Sequence, residues 1–133
     1  MSTPYEITWN VPENRLEFTL CGLWSDATVA EWEKAYRAAV ARAPKPDWTV
    51  LGDMTDHPPQ SPKVQAVHEA LMAHSVDRGM RCFALVVPKA VAAMQLRRLA
   101  GKSEAGKVAN WVTTRAEGLQ ALQAALRADS AAA

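Results

Sequence analysis

Trp48-Thr49-Val50-Leu51-Gly52-Asp53-Met54-Thr55-Asp56-His57-Pro58-Pro59-Gln60-Ser61-Pro62-Lys63-Val64 decides the fold. The apolar run Thr49, Val50, Leu51 reads as a short strand that breaks at Gly52 and leaves Asp53 at its C-terminal end. A proline-rich loop then leads into a helix opened by Ser61 and Pro62. A buried strand running into a helix is half of a βαβ unit. In open α/β sheets, ligands gather beyond the carboxyl ends of the central strands. Asp53, Asp56, His57 and Ser61 are therefore the first candidate site.

Upstream, Glu6–Trp9 and Arg15–Cys21 are strand-like runs around Val11-Pro12-Glu13-Asn14, whose Pro and Asn carry turn chemistry, so an antiparallel hairpin is expected. Leu16, Phe18 and Leu20 alternate with Glu17, Thr19 and Cys21, which predicts one buried face. Val29, Trp32, Tyr36 and Val40 form the inner stripe of a first helix that Pro44-Lys45-Pro46 ends, with Thr28/Glu31 as a capping box and Ser25 as its competitor for the cap. Downstream, the second helix runs from Ser61 to about Asp77. The unbroken apolar run Cys82–Val87 predicts a strand covered on both faces. A third helix follows Pro88 with Ala92, Leu96 and Leu99 inward. A last strand spans Val108–Val112, and Thr114/Glu117 caps a helix with Leu119, Leu122 and Leu126 inward. The order β-β-α-β-α-β-α-β-α predicts a single α/β domain over residues 1–128. Its open mixed sheet is mostly parallel with an N-terminal antiparallel hairpin and about four helices, and residues 129–133 form a frayed tail.

A chain of 133 residues with a net charge of +1 is large enough for a core and too weakly charged to clamp nucleic acid through bulk charge. No apolar run approaches the roughly 20 residues of a membrane span, and the N-terminus lacks the basic and apolar regions of a signal peptide, so a cytoplasmic protein is expected. Cys21 and Cys82 lie in strand-like runs and read as buried free thiols.

The other constellations are weak. His68 and His74 stand six residues apart, about 120° around a helix, and do not converge on one ion as histidines four apart do. Asp53, Asp56 and His57 offer carboxylate-plus-imidazole chemistry, although loops after strands are rich in Asp for turn reasons alone. No Gly-rich phosphate loop is present, and neither Cys has the setting of a nucleophile. No cofactor and no metal site are expected. The one charge feature above background is basic: Lys89, Arg97, Arg98, Lys102 and Lys107, either a solvated helix face or a surface for an anionic partner.

The order of elements, Gly22-x-Trp24 before the first helix, Asp53 at the central strand and the ending Trp111-Val112-Thr113-Thr114-Arg115-Ala116-Glu117-Gly118-Leu119-Gln120-Ala121-Leu122 resemble a STAS domain of the SpoIIAA-like branch, related in fold to CRAL-TRIO lipid-binding domains. The resemblance implies a non-enzymatic regulatory domain that acts by protein–protein interaction in bacteria. Antagonist-type relatives carry a phosphorylatable serine at the start of the helix after the central strand, and Ser61 holds that place as a phosphoacceptor candidate. Its neighbours Gln60, Pro62 and Lys63 lack the Asp before and the Gly two residues after that such relatives carry, and a helix cap already accounts for it. The lipid-binding relatives imply a second function, a carrier holding a small apolar or lipid-like molecule between sheet and helices. Enzyme chemistry at Asp53, Asp56 and His57 is a third. A protein partner or a small apolar ligand is thus expected, and a homodimer is compatible with either.

Overall fold

Strands and helices alternate along the chain in the expected order. The computed structural model describes residues 3–101 and 108–132, with 128–132 as backbone only. Strands β1 (Tyr5–Asn10) and β2 (Arg15–Cys21) form the hairpin; then come α1 (Asp26–Ala41), β3 (Trp48–Asp56), α2 (Pro62–Asp77), β4 (Met80–Val86), α3 (Ala90–Ala100), β5 (Ala109–Val112) and α4 (Arg115–Ala132). The sheet has the order β1-β2-β3-β4-β5, antiparallel between β1 and β2 and parallel elsewhere.

That order has a consequence for function. Where successive parallel strands always step the same way, crossovers of one hand send every connecting helix to the same face. Accordingly α1, α2 and α3 share one core with Leu16, Leu20, Val50, Met54, Phe83 and Leu85. Helix α4 covers the other face over Leu51, Cys82, Ala84 and Val86. The strand order never reverses, so the crevice of a topological switch point, where doubly wound sheets bind ligands, does not arise.

Two expectations are corrected. Gly52 does not end the central strand: β3 continues to Asp56. Gly52 pairs with Phe18 on one side and Leu85 on the other. A Cβ there would overlap the Phe18 ring and come within 2.7 Å of Leu85 Cδ2, so the glycine admits two large side chains onto the face below α1–α3. Leu126 does not face inward either; it is 39 % exposed. The packed stripe of α4 is instead Gly118, Leu119, Leu122 and Ala125. Gly118 sits against Leu51 and lets the helix lie close to the sheet.

The two cysteines are free and lie on β2 and β4, with β3 between them. No described helix is long and apolar enough to cross a membrane.

Candidate functional site

The residues first proposed from the sheet edge separate. Asp53 lies on the α4 side, and its Oδ1 accepts from Thr55 N (3.0 Å) and Thr55 Oγ1 (2.6 Å). The β2–β3 register slips here, Thr19 facing Asp53 and Cys21 facing Asp56, so β3 carries one extra residue, and the Asp53–Thr55 bonds hold that bulge. Asp56 is exposed, and its carbonyl accepts from Gly22 N at 2.8 Å. His57, re-aimed by the bulge, is buried. Among the described residues no hydrogen bond or ion pair joins Asp53, Asp56 and His57. Ser61 is the N-cap of α2: its Oγ accepts from Val64 N at 3.4 Å, and Pro62 follows at the first helical position. Arg97 and Arg98 are exposed on α3; Lys102 and Lys107 lie outside the described residues.

What the fold does bring together is His57 and His68, Nε2 to Nε2 at 3.1 Å, both buried against the Trp24 ring. Their partners fix the protons. His57 Nδ1 stands 3.0 Å from Gly22 O, which can only accept, so Nδ1 carries the hydrogen and Nε2 accepts. His68 Nε2–H is therefore the donor between the rings. Burial pushes both histidines below their usual 6.5: His57 to about 4 against the opposing Gly22 bond, and His68 to about 3 with the neighbouring His57 adding to the effect. Both are neutral near pH 7.

Gln60 locks this pair in place. Its Nε2 donates to Gly22 O (3.1 Å) and Pro58 O (2.5 Å), its Oε1 accepts from Trp24 N (2.9 Å), and its own N–H donates to Gln95 Oε1 (3.1 Å) on α3. One buried residue, through its side-chain amide and its backbone N–H, thus ties the loop after β2, the loop after β3 and α3 into a polar plug.

Beneath the plug lies a cavity of about 50 Å³ between the sheet and α1–α3. Its wall is almost wholly apolar, with Phe18, Val50, Phe83, Leu85 and Leu96 and three methionines, Met54, Met72 and Met80. Four polar side chains reach it: His68, Ser75, Tyr36 and Trp32. Ser75 donates to Leu71 O (2.8 Å), so in the 2.5 Å contact between hydroxyls Tyr36 donates and Ser75 accepts. Burial pushes the Tyr36 phenol up to about 12, the Ser75 contact opposing it, which keeps this donor protonated.

The plug escaped the sequence reading. His68 stood out there only in relation to His74, six residues on along α2, and Gln60 only as a neighbour of Ser61. Only the folded topology sets a residue just past β3 beside one on the second turn of α2. His57 and Gly22-x-Trp24 were the local signals, and the latter marks the plug's third side.

No family model matches the chain, and no curated protein does. Among solved structures it is similar to the NMR structure of the protein TM1081, at 12% identity and a TM-score of 0.60 over 90% of this chain and 87% of that one. At that identity the likeness shows the fold alone.

Proposed function

We propose that this chain is a non-enzymatic binding domain whose ligand is a small apolar molecule held between the sheet and α1–α3. The observation that carries the reading is the cavity itself: an apolar chamber in the main core with a few fixed polar groups, which has the lining, though not the ~300–1,000 Å³ size, of a drug-sized ligand site. Interiors are close-packed, and a void of this size forgoes contacts that the surrounding side chains would otherwise make. At about 50 Å³ it is smaller than the ~150 Å³ apolar cavities that take up benzene. The three methionines in its wall are unbranched and repack readily, so it can enlarge around a guest. The carrier function implied by the CRAL-TRIO lipid-binding relatives agrees with this reading, whereas the STAS resemblance itself implies a protein partner, and membership of that group is part of the proposal.

Native mass spectrometry of protein purified gently from its own cells tests it. The expected result is a retained small molecule, lost in a Val50→Phe variant that fills the cavity. A bare chain, together with no rise in melting temperature on adding apolar probes, contradicts it.

A protein-binding role remains as a second reading because α3 presents Val91 and Met94, each 68 % exposed, beside Arg97 and Arg98. An apolar strip flanked by cations suits an acidic partner. Reversing Arg97 and Arg98 to Glu should then abolish partner capture with little change in stability; capture that is unchanged and insensitive to salt returns them to a solvated face.

A further inference from the structure

We infer that the cavity takes a small apolar guest bearing one hydrogen-bond donor, an N–H or O–H, and that His68 Nδ1 receives it. The inference rests on the cavity reading above and narrows it to a ligand class.

What the wall still has to offer is acceptors. His68 Nε2–H is committed to His57, Tyr36 O–H to Ser75 and Ser75 O–H to Leu71 O, so each of these side chains has spent its hydrogen and keeps a lone pair. The Trp32 indole N–H lies sealed among side chains with almost no accessible surface, out of a guest's reach. His68 Nδ1 differs from both kinds. No hydrogen bond reaches it among the described residues, and unlike Trp32 Nε1 it is not sealed off. His68 is only 7 % exposed, so the surface left to it is that of the cavity it lines. The setting of the ring turns Nδ1 the same way: Nε2 is held against His57 and the ring against Trp24, both in the plug, and the two nitrogens of an imidazole face widely divergent directions. Nδ1 therefore faces away from the plug, where Leu71, Met72 and Ser75 of the same helix continue the cavity wall. Its lone pair is fixed from outside the cavity. Gly22 O holds the hydrogen of His57 on Nδ1, which makes His57 Nε2 the acceptor between the rings and puts the hydrogen of His68 on Nε2, and burial keeps the His68 ring neutral near pH 7. A buried acceptor without a partner costs free energy that a guest's N–H or O–H returns, whereas a guest whose polar atom only accepts sets lone pair against lone pair.

Pyrrole and furan, which share a ring and differ in N–H against O, separate the outcomes. Both are titrated into the wild-type protein and a His68→Leu variant, with the histidine ring nitrogens followed by ¹⁵N NMR. The expected result is that pyrrole binds the wild type and moves the unprotonated His68 Nδ1 resonance upfield, as a nitrogen accepting a hydrogen bond does, while furan leaves it in place. His68→Leu should weaken pyrrole about tenfold more than furan, because it leaves a buried donor unpaired. If pyrrole binds without moving that resonance, or if furan alone binds, the inference is overturned and the cavity reading stands. If neither binds the wild type, both fall together. The wild-type resonance decides the matter even if the variant does not fold.

Discussion

At the scale of single residues, His57 and His68 turn burial into pH dependence. Each has a folded-state pKa below its unfolded value of 6.5, so the unfolded chain binds more protons than the native one as the pH falls below about 6.5. Native stability should therefore be unaffected by this pair above pH 6.5 and decline from there down to about pH 4 and below. Glu17 acts lower. Burial alone would raise its pKa, but hydrogen bonds from Arg115, Arg15 and Asn10 overcome that and bring it to about 2, so its contribution is present above 4.5 and lost between there and 2. Urea titrations across pH should show a first decline that His68→Met makes shallower while the Glu17 step stays. An unchanged slope between pH 6.5 and 4 in that variant would remove the pair as its source. Gly52 makes a second prediction at this scale. Its missing Cβ is filled by Phe18 and Leu85, and Phe18 is pinned against Trp32 and Tyr36, so Gly52→Ala should cost about 1–3 kcal/mol as overpacking. A loss below about 0.5 kcal/mol in urea unfolding would show that the rings give way freely.

At the scale of elements, what could be read from sequence was what is encoded locally. The hairpin, the inner stripes of α1 and α3, and the caps at Ser61 and Thr114 all follow from spacing and turn chemistry within a few residues. At α1 the two competing caps resolve to Ser25, whose Oγ accepts from Thr28 N at 3.2 Å. Gly52 was misread because its surroundings come from other strands: a glycine that locally signals a break is, in the sheet, the gap between β2 and β4 into which two side chains fit. The site was less legible than the fold. Asp53 and Asp56 carry the residue types of chemistry and serve the bulge and the hairpin end, whereas the plug is assembled from Gly22, Trp24, His57, Gln60 and His68 across three elements. The cap at Ser61 yields a test that separates structure from signalling. Ser61→Ala should cost about 0.5–2 kcal/mol, while Ser61→Asp should be near neutral because Asp caps equally well and suits the positive helix end. Equal and large losses in both variants would show that something other than capping is being removed.

At the scale of the whole molecule, the strand order that steps one way throughout sends α1, α2 and α3 to one face and makes that face the thicker, aromatic-rich core. The cavity lies in this layer, under a plug of neutral histidines that closes one end without introducing charge. The α4 face has no comparable depth: close approach at Gly118 leaves little space there. The central claim is that the α1–α3 layer receives an apolar guest, and a crystal pressurised with xenon tests it most directly, since xenon enters dry apolar cavities and is located by its scattering. The account predicts one well-occupied xenon site bounded by Phe18, Phe83, Leu96 and the methionines, absent in Val50→Phe. Crystals that take up no xenon there, or that hold it only in surface crevices, would contradict it.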